Sequence, residues 1–364
     1  MKIVRLVAFC LIAGISLNAR AVPLYSATRL NFDATAINNR GQIVGENNAG
    51  SLVWRKGETL QLGATGAVDI NDRGAVLGSD WLWDKKGLTQ GAFTGAVALN
   101  NHGKVVGNSP GDRAFTWDLK TGASQIRIFG DERFLSANGI ADDGSVLLQW
   151  DVWNGYGVWS SETDNAKLPA VFGCCGLNTN AVINSHGYIG GISITGGDPA
   201  FLGPLVEDLP PGIPDCGSNG CDAITIWTPE LTPIYIGLHS LEDFFFADGF
   251  QRRSLGVTGV NDDLLVVGSY ESFQHLEWRA YVGSEELGVL DLNDLLTKRA
   301  QSLLGGATLR TAQGINDRGW ILAKTRDGAS YLLRPVPEPG AILLLLVAGA
   351  MLLVRRLRTS TTAN

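Results

Sequence analysis

Histidine occurs four times and methionine twice in this 364-residue chain. The scarcity of histidine removes most metal chemistry, because none of the four stands at ligand spacing from a cysteine. No Ser nucleophile elbow, HExxH, P-loop or EF-hand spacing is present either, so no cofactor and no metal is implied. Basic residues are also short. Lys and Arg total 29 against 36 Asp and Glu. Residues 1–21 and 340–364 each hold three basic and no acidic residues, leaving 23 − 36, or −13, for the body between them. An acidic body lacks the basic footprint that nucleic acid requires. It is compatible with cation-bridged association to polysaccharide, although most acidic surfaces only keep a protein soluble.

Glycine and tryptophan are abundant instead, at 46 and ten. That composition suits short strands joined by turns. One pentapeptide organises them. Ile37-Asn38-Asn39-Arg40-Gly41 returns as Ile70-Asn71-Asp72-Arg73-Gly74, Leu99-Asn100-Asn101-His102-Gly103, Ile183-Asn184-Ser185-His186-Gly187 and Ile315-Asn316-Asp317-Arg318-Gly319. Weaker copies are Ile140-Ala141-Asp142-Asp143-Gly144 and Val260-Asn261-Asp262-Asp263-Leu264. Each reads as a hairpin turn: Asn and Asp bond their own backbone and Gly takes the positive φ. His102 and His186 are turn residues on this reading, in the place that Arg40, Arg73 and Arg318 fill elsewhere.

Each turn leads into the same series of strands. In the first copy these are a strand ending at Ile37, then Gln42–Gly45, Leu52–Trp54 and, after the turn Arg55–Gly57, Thr59–Leu62. Later fourth strands are expected at Gln125–Phe129, Lys167–Val171, Pro233–Ile236 and Glu286–Leu290. Trp54, Trp83, Trp117, Trp159 and Trp227 share one repeat position, which marks them as core. Gly45, Gly78, Gly107, Gly191 and Gly268 recur four residues after the turn, where backbones approach closely. Four strands repeated seven times describe an all-β fold, a β-propeller of about seven four-stranded blades. The seventh copy stops after its third strand, near Leu333, and an unpaired strand at Tyr25–Leu30 is available to complete it. Closure of that kind removes two sheet edges. A β-solenoid is the alternative, which would want capping ends in place of the orphan strand.

The turns and the pieces Arg113-Ala114-Phe115-Thr116-Trp117 and Arg279-Ala280-Tyr281-Val282 resemble the HAF repeats of bacterial extracellular proteins, over roughly residues 34 to 335. The ends resemble export and sorting signals. Lys2, Arg5, the apolar run to Leu17 and Ala19-Arg20-Ala21 read as a signal peptide over 1–21. The repeat domain is expected at 22–335. Residues 336–364 resemble a PEP-CTERM signal: Pro337-Glu338-Pro339, an apolar helix at 340–354 and the cluster Arg355, Arg356 and Arg358. The fifteen apolar residues fall short of the roughly 20 that span a bilayer comfortably, and the arginines would stay cytoplasmic. The resemblance implies the secretion machinery and an exosortase as partners, a transient inner-membrane stage and a place at the surface or in the biofilm matrix of a Gram-negative bacterium. A plain membrane anchor is the other reading.

Strand alternation puts the loops between second and third strands on one face with the links between blades. Every long excursion then shares that face. Cys174 and Cys175 lie between blades four and five, and Cys216 and Cys221 lie in the insertion Thr195–Asp222. An even cysteine count in an exported chain favours disulfides, either cross-links between these pairs or a local Cys216–Cys221 loop. The same face gathers Trp153, Tyr156, Phe244, Phe245, Phe273 and His275, whose rings suit stacking on sugars. Packing of the linker onto the ring is the other use for Phe244–Phe246. His239, Glu242, Asp243 and Asp248 offer a carboxylate pair for glycoside cleavage, or a solvated acidic linker. The expectation is therefore an exported, non-enzymatic surface or matrix protein that binds exopolysaccharide or a surface protein. The alternative is an envelope polysaccharide hydrolase or lyase.

Overall fold

The computed structural model describes residues 22–337 except 92, 110–112, 120–121, 126–133, 151–155, 161–164, 168–176, 196–220, 238–254, 273–274 and 276. Tyr25–Arg334 forms one compact unit, a ring of seven four-stranded antiparallel sheets. The blades occupy residues 33–61, 67–90, 96–125, 134–167, 177–237, 255–291 and 309–335. In the first six the strand order follows the chain from the axis outward. The seventh holds only three consecutive strands, Leu309–Ile315, Ile321–Thr325 and Ser330–Pro335. Tyr25–Arg29 supplies its fourth. The expected closure is therefore present, and the solenoid alternative falls.

The strands read as continuous apolar runs because both faces of each blade are buried. Side chains alternate across the sheet, so Ile43, Leu52 and Trp54 pack toward blade seven while Val44 and Val53 pack toward blade two. Among the described residues this produces seven apolar clusters, each lying in a seam between neighbouring blades. No core fills the axis. Trp54, Trp83, Trp117, Trp159 and Trp227 all stand opposite the first apolar residue of the second strand, and all five pack in these seams. The strand glycines are explained by the innermost strand. It bulges in every blade, so the second strand faces two residues with one. A Cβ on Gly268 would overlap the carbonyl oxygen of Gly256, and one on Gly45 that of Asp33.

Two outer strands begin before their expected positions. They are Gly122–Gln125 and Asn165–Lys167, since the third strand turns back at once: Asp118 already pairs with Gly122, and Ser160 with Asn165. A short helix forms at Lys298–Leu304, in the link between blades six and seven. Thr297 caps its N-terminus by accepting from the Ala300 N–H at 3.2 Å, and Gly305 ends it at φ 63°. This helix and the segment before it secure the closing strand. Tyr25 donates its N–H to Leu295 O at 2.7 Å and accepts from Thr297 N–H at 2.9 Å. Its ring is 1% exposed among Leu292, Leu295, Leu296, Ala300 and Leu304. Burial pushes its hydroxyl pKa up to about 12.

Tyr25→Ala is expected to cost about 3–5 kcal/mol in urea unfolding, as for a large buried aromatic. A cost under about 1 kcal/mol, the level of ordinary surface changes, would contradict the assigned role of the N-terminal strand.

Candidate functional site

The repeated pentapeptides meet around the axis on one face of the ring. In blades one, two and three the Asn Oδ1 accepts two backbone N–H groups of its own turn: those of Arg40 and Gln42 at Asn38, of Arg73 and Ala75 at Asn71, of His102 and Lys104 at Asn100. The Asn Nδ2 points the other way, to the next blade. Asn38 donates to Asn71 O at 2.8 Å, Asn71 to Asn100 O at 3.0 Å and Asn100 to Ala141 O at 3.0 Å. Asn261 donates to Asn316 O at 3.1 Å, and Asn316 to Asn38 O at 2.9 Å, across the seam where the chain closes. Asparagine alone carries an acceptor and a donor at this length, so the repeated Asn is a clasp between blades as well as a turn former.

The next residue adds a second ring. Its backbone N–H donates to the side chain in the following blade: Asn39 to Asp72 Oδ1 at 2.7 Å, Asp72 to Asn101 Oδ1 at 2.7 Å, Asn101 to Asp142 Oδ1 at 2.8 Å and Asp317 to Asn39 Oδ1 at 2.9 Å. Amides and carboxylates alternate here, and the Asn101 amide also donates to Asp72 and Asp142. Blade four departs from the pattern. Ala141 has no side chain to offer, and Asp142 N–H reaches Ser185 O at 2.7 Å instead. Blade five compensates through Asp262, whose carboxylate accepts from Asn184 Nδ2 at 2.8 Å and meets His186 Nδ1 at 2.7 Å. His186 is thus an exposed turn residue, as expected, with a further role between blades that its position alone did not disclose.

The alternation is incomplete, since blade five carries Ser185 at this position. Between blades six and seven Asp262 N–H donates to Asp317 Oδ1 at 3.1 Å and two carboxyl groups face each other. Burial raises the Asp317 pKa first, and the Asp262 charge and its side-chain hydrogen bond raise it further. A raised folded pKa means the folded state holds that proton more tightly, so stability declines as pH rises through the folded value.

Behind these turns the inner strands of all seven blades line a cavity of about 310 Å³. Its walls mix small and apolar residues, among them Ala36, Ala98, Gly139 and Val182, with polar ones such as Thr35, Asn138, Thr258 and Gln313. Asp69 adds a carboxylate among them. It accepts the N–H groups of Ile70 and, in the next blade, Leu99, each at 2.8 Å, while burial moves its pKa upward. Among the described lining residues the charged ones are all aspartates, Asp69, Asp72, Asp142 and Asp317. On the opposite face a groove of about 600 Å³ lies at the closing seam, lined by Arg29, Leu30, Asn31, Phe32, Asp33 and Asp327–Ser330. Among the described residues no group of three or more His, Cys, Asp or Glu is placed to hold a metal ion.

The aromatic set divides. Tyr156 does not stand in a loop; it opens the strand Tyr156–Ser160, is 2% exposed, and packs with Leu147, Ala181, Ile189 and Trp227. Its hydroxyl lies 3.3 Å from Asn138 Nδ2, so its ring faces the blade seam and has no open side for stacking. His275 is exposed between the strands Val266–Ser272 and Glu277–Ser284, with its N–H bonded to Ser272 Oγ at 3.2 Å. Trp153, Phe244, Phe245 and Phe273 lie outside the described residues, as do His239, Glu242, Asp243 and Asp248. So do Cys174, Cys175 and Cys216; Cys221 opens the strand Cys221–Trp227, opposite Thr195. Pro337 is exposed, and Glu338, Pro339, the run 340–354, Arg355, Arg356 and Arg358 fall outside. No helix among the described residues is long and apolar enough to cross a membrane.

No protein-family model and no curated protein matches the chain. Solved structures match it as a fold, that of a seven-bladed β-propeller. Virginiamycin B lyase from Staphylococcus aureus is similar over 86% of this chain and 100% of its own, at 9% identity and a TM-score of 0.50. U3-55K is similar over 86% and 100%, at 11% identity and a TM-score of 0.50. The RRP9 WD40 repeats are similar over 86% and 98%, at 9% identity and a TM-score of 0.50.

Asp317→Asn supplies the missing amide and is expected to stabilise the ring at neutral pH by on the order of 1 kcal/mol, allowing for water at the mouth. It should also flatten the decline in Tm just above the ordinary carboxylate range; a Tm that falls instead would refute the carboxyl clash. Asn71→Asp keeps the turn acceptor but loses the donor to Asn100 O. It is expected to cost about 1–3 kcal/mol in urea unfolding, and an unchanged midpoint would refute the clasp.

Proposed function

We propose that this protein is an exported binding module without catalytic activity. In this reading it is delivered through its C-terminal signal to the cell surface or matrix, where its long-loop face takes a polysaccharide or surface protein. One observation carries the reading. The ring is closed by its own N-terminal strand and clasped by side-chain hydrogen bonds, and the strand ends that the longest connections join lie on the face opposite the turns. A rigid disc with long loops on one face is a scaffold for recognition. The groove at the closing seam offers Arg29, Asn31 and Asp327 to sugar hydroxyls, and Phe32 at its floor. Trp153, Phe244, Phe245, Phe273 and His275 extend that face in the proposal, and Tyr156 no longer belongs to it.

The signal peptide over 1–21, the exosortase signal over 336–364 and the disulfides among Cys174, Cys175, Cys216 and Cys221 are parts of the same proposal. Enzymatic use of the face is the competing reading, since one protein of similar fold is a lyase. It would rest on Glu242 and Asp243.

Titration of the purified chain against fragments of acidic and neutral exopolysaccharide separates the two. Binding without turnover is expected. Arg29→Ala with Asp327→Ala should weaken it by on the order of tenfold, while Glu242→Gln with Asp243→Asn leaves it unchanged. Fragment cleavage that the second pair abolishes would establish the enzyme reading instead. Mass spectrometry of the mature termini checks the address: surface-fraction peptides extending beyond Arg355 would contradict sorting.

A further inference from the structure

The turn face carries a charge pattern that the asparagine clasp does not use. The third residue of each turn is exposed, and its sign changes around the ring. Arg318, Arg40 and Arg73 occupy it in blades seven, one and two, whereas Asp143 and Asp263 occupy it in blades four and six. The turns between third and fourth strands repeat the division. Lys56, Lys85 and Lys86 are exposed in blades one and two, against Glu230, Glu285 and Glu286 in blades five and six. Both sets of turns share one face: Leu119 N–H bonds Gly103 O at 3.4 Å in blade three, and Gly187 packs beside Pro229 in blade five.

Acidic side chains within the cationic sector are few. Glu58 and Asp84 adjoin the outer turns, and the Asp72 and Asp317 carboxylates accept backbone N–H groups of the ring. Two further facts locate the sector. The chain leaves the ring at Arg334, whose guanidinium lies over the Trp320 ring at 4.4 Å, with that of Arg318 at 5.5 Å from the same ring. Among the described residues neither arginine has a carboxylate within ion-pair distance, and Arg334 Nε is buried with no acceptor. The chain also enters beside this point, since Ser26 Oγ donates to Arg334 O at 3.2 Å.

We infer that the cationic sector of blades seven, one and two docks on anionic phospholipid headgroups. A body of charge −13 is repelled by an anionic bilayer unless it presents a cationic sector, and the sector borders the place where the described chain leaves the ring. The ring then stands with its turn face toward the bilayer, tilted away from the acidic blades five and six. Its long-loop face points outward, to whatever it binds. This rests on the reading of residues 340–354 as a membrane segment.

The full chain, reconstituted with vesicles of phosphatidylcholine alone or mixed with phosphatidylglycerol, tests it by flotation and by lysine acylation read in mass spectrometry. In the anionic vesicles Lys56, Lys85 and Lys86 should label several-fold more slowly than in neutral ones, and high salt should erase the difference. Lys324, which pairs with Asp33 beside the groove on the opposite face, should label alike in both. Arg40→Glu, Arg73→Glu and Lys86→Glu together should reduce the protection of Lys56 and Lys85 by on the order of tenfold, with an unchanged melting curve. A chain that floats with both vesicles and labels equally overturns the docking alone. One that floats with neither overturns the membrane segment and the docking with it. Protection by soluble polygalacturonate but not by vesicles assigns the sector to a polyanion in solution, and also overturns the inference.

Discussion

An asparagine amide placed between two blades is the contact on which the ring depends. Each blade is a small sheet that cannot stand alone, and the apolar seams between blades supply the burial but not the angle. The amide supplies direction. Its oxygen holds the turn of its own blade and its nitrogen holds a carbonyl of the next, so turn geometry and blade spacing are set together. Because Asn316 donates to Asn38 O across the closing seam, the last link of this relay joins residues 278 positions apart, and the pairing of Tyr25–Arg29 with the last strand closes the rim.

A second consequence concerns the neighbouring residue of each turn. Amides and carboxylates alternate around the second ring from Asn39 to Asp142, Ser185 interrupts them in blade five, and one pair of carboxylates meets. The chain places it between Asp262 and Asp317 and partly relieves it by bringing Asn184 and His186 onto Asp262. The weaker pentapeptides of blades four and six are the places where the relay is rerouted, through Asp142 and Ser185 and through Asp262.

The same alternation of strands gives the ring two unlike faces. Short turns and clasps occupy one, and the strand ends that the longer connections join lie on the other. Small, apolar and neutral polar residues of the inner strands keep the cavity walls nearly without charge, apart from Asp69 and the aspartates at the mouth. The groove lined by Arg29 and Asp327 lies on one face, and the chain enters and leaves on the other, so the proposed recognition and attachment fall on opposite faces.

Much of this was legible in the order of residues. The turn spacing, the tryptophans opposite the second strand, the glycine four residues on and the unpaired Tyr25–Leu30 strand are local patterns, and local backbone chemistry fixes what they form. The site was less legible. Tyr156 read as a loop aromatic because glycines flank it at 155 and 157, yet it lies in a seam whose other wall comes from Ala181, Ile189 and Trp227, far along the chain. The turn asparagines read as local because only one of their two hydrogen-bonding atoms is used locally. By itself, then, the sequence determined the strands, their turns and the need for closure, since those depend on neighbours within a few residues. Tertiary structure alone decided which side chains meet across blades, because those distances exist only after the ring has closed.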